Sequence, residues 1–187
     1  MKKRCDWVPL DDPLYVEYHD KEWGVPVHDD RKIFEFLILE AMQAGLSWRT
    51  ILVKRDNFRR AFRDFDPEIV AAFDAKDIER LMSDAGIIRN RAKINASVNN
   101  AHRFLEVQGE FGSFDAYIWR FVGNKPIRNR FQSYKEIPAS TPESDTLSAD
   151  LKKRGFKFLG PTTVYAHMQA AGMVNDHTTG CFRYGEV

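Results

Sequence analysis

"IERLMSDAGIIRNRAKINA", Ile78 to Ala96, has the form of a helix, a glycine turn at Gly86 and a second helix that opens with cations. A very short turn leaves the first amides of the second helix free, and those amides, with the positive end of the helix dipole, make a site for a phosphate. Arg89, Arg91 and Lys93 are placed to reach a backbone on either side of Gly86. This is the logic of a helix-hairpin-helix, which docks DNA without reading its sequence. A plain αα-corner closed by a glycine fits the same letters. "GII" at 86–88 also stands where such hairpins usually carry a second glycine.

Outward from the hairpin, helix signals dominate. "DDRKIFEFLILEAMQAG" offers Asp29 or Asp30 as N-cap and Gly45 as its end, and Ser47 can cap "WRTILVKRDNFRRAF". Asp66 precedes Pro67, and Thr141 precedes Pro142; each is a cap followed by the proline favoured in a first turn. Ser113 opens "FDAYIWRFV", Gly155 stops the helix after Pro142, and Gly160 and Gly172 frame "PTTVYAHMQAA". The expectation is an all-α chain of eight or nine helices forming a single unit over 1–187, with the hairpin at about 77–107. Residues 1–28, 123–140 and 173–187 read as irregular.

The bulk composition excludes little but excludes it firmly. The chain has 187 residues, 43% hydrophobic and 29% charged, with a net charge of +1. That suits a globular core and gives no global attraction for an anion. The basic segments "KRDNFRRAFR" (54–63), "RNRAK" (89–93) and "KKRGFK" (152–157) are the local exceptions, and solvated helix faces explain any one of them equally well. No apolar run reaches the roughly 18 residues of a membrane span, and the start has no apolar signal region, so the expected address is cytoplasmic.

Cys5 and His19 lie near the start, and His177 and Cys181 near the end as "HTTGC". These are ligands that zinc takes, and four of them close a tetrahedral site with no position open for water. Two unrelated thiols and satisfied histidines are the competing reading. Zinc has the advantage of explaining how two irregular ends are tied.

Three of the four tryptophans, Trp7, Trp23 and Trp48, fall in the first 48 residues beside Tyr15 and Tyr18. On an ideal helix Glu40 shares a face with Ile33, Phe36, Leu37 and Ala44. A carboxylate there must be paired, hydrogen-bonded or protonated, because an unpaired buried charge costs several kcal/mol. Its partner is either an arginine or amide of the core, or a group carried by a ligand. Aromatics around one anion compose a pocket for a flat, cationic, hydrogen-bond-donating molecule.

The blocks "RCDW", "DPLYVEYHDKEWGVP", "LEAMQAGLSW", "DAGIIRNRAKI", "KKRGFKFLGPTTVYAHMQAAGMVNDH" and "HTTGC" together resemble the bacterial type I 3-methyladenine DNA glycosylases over essentially the whole chain. The resemblance implies a helix-hairpin-helix glycosylase fold and one structural zinc on Cys5, His19, His177 and Cys181. It also implies a base pocket at Glu40, Tyr18 and Trp48, with Tyr15 beside them and Trp7 and Trp23 further out. The hairpin's missing glycine is one departure. Ala41 and Met42, where smaller or polar residues are expected, are another, and they suggest an altered pocket floor.

With that resemblance, Leu46 becomes a wedge for the gap left by a flipped nucleotide, and double-stranded alkylated DNA becomes the partner. Free 3-methyladenine would be the product. Asp115 is the nearest counterpart of the catalytic aspartate of related folds, but it reads better as a first-turn acid after Ser113. No lysine nucleophile stands out, so a monofunctional, monomeric enzyme is expected, with Glu40 recognising the base and, as a further possibility, activating water. A non-catalytic zinc-containing DNA-binding module and a zinc hydrolase using His19 or His177 are the rival readings.

Overall fold

The computed structural model describes residues 2–187. Among them are nine α-helices: α1 (Pro13–Lys21), α2 (Asp30–Gln43), α3 (Trp48–Ala61), α4 (Pro67–Ala71), α5 (Ala75–Ser83), α6 (Arg91–Phe111), α7 (Phe114–Ile118), α8 (Pro142–Lys153) and α9 (Pro161–Ala170). The expected caps are in place. Asp29 accepts from the Lys32 amide, Ser47 from Thr50, Ser113 from Ala116, and Thr141 with Ser144 forms a capping box.

Three local expectations are corrected. The N-terminal stretch is not irregular throughout: Asp12 caps α1, which carries Tyr15, Tyr18 and His19. The hairpin turn is not very short, since residues 84–90 separate α5 from α6. Nor are the first amides of the second helix all free, because Asn90 Oδ1 accepts from the Lys93 amide (3.1 Å).

The helix α2 is the axis of the molecule. Every residue from Ile33 to Met42 is buried, so its sides are all covered and not only one stripe. Ile33, Phe34, Leu37, Ile38 and Met42 join the main core with Phe58, Phe62, Phe104 and Phe114. Phe36 belongs to a smaller cluster that holds Cys5, Val8, Tyr18, Trp23, Leu52 and Cys181. Glu40, four residues after Phe36, lies on that side of α2.

The chain ends are tied rather than loose. Two-residue strands β1 (Ile127–Arg128) and β2 (Val174–Asn175) pair in parallel, Ile127 opposite Val174, and fasten the 123–140 stretch to the C-terminal segment. Val27 N–H donates to Ala171 O (3.0 Å), drawing the 24–27 segment against the end of α9. Gly172 sits in that contact with φ +67°, and a Cβ there would lie 2.3 Å from the Val25 carbonyl carbon. Both the left-handed backbone and the close approach demand glycine. Gly172→Ala is expected to lower the unfolding free energy by about 2–5 kcal/mol, read by chemical denaturation; a loss under about 1 kcal/mol would mean the segment yields.

Candidate functional site

A cavity of about 490 Å³ opens between α1, α2, α3 and α9. Its walls include Trp7, Tyr15, Tyr18, Trp23, Glu40 and Trp48, so the structure brings all six of the expected pocket residues together. The rings of Tyr18 and Trp48 lie 5.3 Å apart at 47°. Sandwiching a flat ring between two others needs about 7 Å, twice the aromatic contact distance. The pair therefore forms one continuous wall on which a base can lie.

Gln43, Tyr134, Ile137, Ala166 and Gln169 complete the lining and were not expected from the sequence. Gln43 was discoverable, being three residues from Glu40 on the same helix. Tyr134 arrives from the irregular stretch, held by Asp6, which accepts from the Tyr134 amide (3.0 Å) and the Ser133 hydroxyl (3.0 Å). Gln169 donates through Nε2 to buried Asp176 (2.8 Å), which also accepts from Tyr165 and Asn129. Ala41 and Met42 line no part of the cavity. They are buried in the main core, so the altered pocket floor suggested by these two residues is corrected.

Glu40 is 4% exposed, and no hydrogen bond stabilises its carboxylate. Desolvation raises its pKa to about 8 against a smaller opposing pull from Arg55. Arg55 is already committed. It donates to Glu35 (2.7 Å) and, through both terminal nitrogens, to Glu22 (2.8 and 2.9 Å), while Arg59 and Lys32 add cations to Glu35. The arginine partner offered by the sequence is present but faces two other acids. Trp48 contributes a second unsatisfied group, a buried Nε1–H with no acceptor.

Behind Trp7 and Trp23 the donor atoms of Cys5, His19, His177 and Cys181 lie within 4.8 Å of one another, all four residues buried. Cys5 Sγ to His177 Nδ1 is 3.5 Å, Cys181 Sγ to His19 Nε2 is 3.4 Å, and Cys181 Sγ to His177 Nδ1 is 3.6 Å. A tetrahedral ion with thiolate and imidazole ligands needs such separations to be about 3.6 Å. The outer nitrogens orient the rings. His19 Nδ1–H donates to Asp20 (2.8 Å), itself held by Arg4, and His177 Nε2–H donates to Trp23 O (2.9 Å), leaving the inner nitrogens as ligands. The group can hold a metal ion, and its donor set leaves no open position. Trp7 packs on His19 (5.4 Å) and Trp23 on His177 (4.7 Å), so the cluster also backs the aromatic wall.

The basic residues divide. Arg89 is exposed; Arg91 is exposed and forms a bidentate pair with Glu79 across the hairpin (2.7 and 3.0 Å). Lys93 is corrected: it is buried, and its ammonium donates to Met42 O and Ala44 O, so no phosphate can reach it. Gly86 donates its amide to Asp84 Oδ1 (2.7 Å). Three of the cations of 54–63 are also engaged within the protein, Lys54 with the hairpin carbonyls and Arg55 and Arg59 with acids, while Arg60 and Arg63 are exposed. Leu46 is 41% exposed on the loop between α2 and α3. Asp115 pairs with His28 (2.8 Å) in the first turn of α7 and is no part of the cavity.

A helical body with an aromatic cavity and a partnerless acid in its wall defines a protein able to hold a flat, cationic ring. Residues 7–184 match the methyladenine glycosylase family, and the chain belongs to that family. It is 52% identical over 182 residues, 97% of each chain, to DNA-3-methyladenine glycosylase 1 of Escherichia coli (strain K12). A crystal structure of 3-methyladenine DNA glycosylase I superposes with a TM-score of 0.93 at 53% identity, covering 96% of this chain and 98% of that one. A variant of 3-methyladenine DNA glycosylase I in complex with 3-methyladenine superposes with a TM-score of 0.92 at 40% identity, covering 96% of each.

The raised pKa of Glu40 has a consequence for stability. Folding favours the protonated carboxyl, so the folded chain binds more protons than the unfolded one between the ordinary glutamate value of 4.5 and about 8. This contribution is present below the lower value and lost as pH rises through the upper one, at a cost on the order of 5 kcal/mol. Glu40→Gln is therefore expected to match wild type near pH 5 and to be the more stable protein at pH 9. Denaturation curves that differ by the same amount at both pH values would contradict this.

Proposed function

We propose that the chain excises 3-methyladenine from alkylated double-stranded DNA by hydrolysing the N-glycosidic bond, with the extruded base lying on the Tyr18–Trp48 wall against Glu40. The observation that carries this reading is the unpaired acid in an aromatic cavity. In the empty cavity Glu40 holds its proton near neutral pH; a cationic base supplies the charge that makes its ionised form affordable. Neutral adenine offers the same exocyclic amine but no charge, so it cannot recover the cost of ionising the acid. Aromatic contact adds about 0.5–2 kcal/mol for a cationic ring.

Recognition and bond cleavage place different demands on the site. As the base departs with the bonding electrons it becomes neutral, and the positive charge passes to the sugar, where water adds and gives up a proton. An interaction with the base cation alone stabilises the bound substrate, not the transition state. Its free energy offsets extrusion, which costs a few kcal/mol and least for a damaged pair. Leu46 is placed to fill the vacated stack, while Arg89 and the Gly86 turn meet the backbone; Arg91 is available if it exchanges Glu79 for phosphate. The reading has Glu40 as the recognition residue, with water activation a secondary role.

The same reading assigns structural zinc to Cys5, His19, His177 and Cys181, a monomer, and one unit over 1–187. A closed four-ligand site fits a brace and not a water-activating hydrolase. No helix among the described residues is long and apolar enough to cross a membrane.

Methylated duplex DNA should release free 3-methyladenine above the spontaneous rate and leave abasic sites without strand cleavage. No release would favour the non-catalytic DNA-binding module. Glu40→Gln should weaken binding of a permanently cationic 3,9-dialkylated adenine and slow excision by about 100-fold, equivalent to about 3 kcal/mol, with the fold unchanged. Unaltered binding would remove Glu40 from the site. Elemental analysis should find one zinc per chain, and Cys181→Ser should lose the metal together with several kcal/mol of stability. Full stability without metal would refute the brace.

A further inference from the structure

Lys93 remains to be explained. It is 7% exposed, in the first turn of α6, and desolvation lowers its pKa. Its Nζ donates to Met42 O (2.9 Å) and Ala44 O (2.5 Å) at the C-terminal end of α2, where carbonyls have no amide of their own helix to accept from. A helix end on a loop is ordinarily satisfied by water or a glycine turn, and Gly45 already supplies the turn, with φ +79°. A buried ammonium is a costly alternative, and it connects two particular elements: the hairpin and the loop that carries Leu46.

A second set of bonds closes the frame. From α3, just beyond that loop, Lys54 Nζ donates to Ala85 O (3.1 Å) and Gly86 O (3.4 Å), and Asn57 Nδ2 donates to Gly86 O (3.1 Å). The segment between α2 and α3 is thus held to the hairpin on both sides, with Leu46 exposed between the ties. Inside the loop the Leu46 amide donates to Gln43 O (2.6 Å), so the position of Leu46 follows that of the α2 terminus.

We propose that Lys93 is a positioning residue for extrusion: it fixes the Gln43–Leu46 loop to the hairpin, so that seating the hairpin on a DNA backbone sets where Leu46 enters the base stack. The proposal rests on the reading of Leu46 as the wedge. It gives Lys93 no contact with DNA or base, and its effect should therefore be confined to duplex substrates.

The test is a double-mutant cycle of Lys93→Met and Leu46→Ala, measuring single-turnover excision from methylated duplex DNA and affinity for free 3-methyladenine. Lys93→Met should slow duplex excision by about 10- to 100-fold with free-base affinity within about twofold of wild type. If Lys93 acts through Leu46, the double variant should be no slower than the slower single variant within about threefold. Losses that multiply, an unaffected duplex rate, or free-base affinity falling in step with excision would each overturn the proposal. Wild-type excision by Leu46→Ala would instead show that the wedge reading itself has failed. Lys93→Gln, which keeps amide donors for the carbonyls, should fall between wild type and Lys93→Met and serves in the cycle if the Met variant does not fold.

Discussion

Glu40 is a carboxyl buried without a partner, and the surrounding structure keeps it so. An arginine is near enough to lower its pKa, but Glu22 and Glu35 occupy that arginine from two directions, and Lys32 and Arg59 complete the neutralisation of Glu35. With Arg55 held by these acids, Glu40 has no counter-ion bonded to it, and the cavity keeps a demand for a cation. The ion-pair network contributes to specificity by being closed on itself, more than by any stability such networks supply.

That demand is useful only if the cavity holds its shape when empty. Its wall is assembled from both ends of the chain: Trp7 and Trp23 pack on the histidines of the Cys2His2 group, Asp6 holds the Tyr134 loop, and Asp176 holds Gln169. The Cys2His2 group, which can hold a metal ion, stands behind these aromatic side chains within the small hydrophobic cluster of the terminal segments. The Cys2His2 group and the cavity thus lie back to back without sharing a residue. One is a buried set of four ligand atoms, the other a cavity walled by aromatics and an acid.

How much of this was legible follows from the range of each interaction. Caps such as Asp29, Ser47 and Thr141 act within four residues and could be read directly. Glu40 stood out because burial of a charge contradicts its helix's apolar pattern. Cys5, His19, His177 and Cys181 could be grouped by ligand chemistry, although spacing alone did not decide it. α1 was hidden because its alternating aromatic and acidic residues give it no clear apolar stripe. The lengthened hairpin turn and the inward Lys93 were hidden because cations written side by side look alike in sequence. Only the fold reveals that Arg91 meets Glu79, Arg89 stays exposed and Lys93 meets bare carbonyls. Tyr134, Ile137 and Gln169 depend on contacts across the whole chain, beyond any local pattern.

The central claim is that Glu40 is a neutral acid awaiting a cation. It is tested most directly by following the side-chain carboxyl of Glu40 by carbon NMR as pH is varied, with the cavity empty and then saturated with a permanently cationic 3,9-dialkylated adenine. The account predicts an apparent pKa of about 8 when empty and a fall of at least about two pH units when the cation binds, as for a carboxylate gaining a close opposite charge. An empty-cavity value near the ordinary glutamate range, or a value unmoved by the cation, would contradict it.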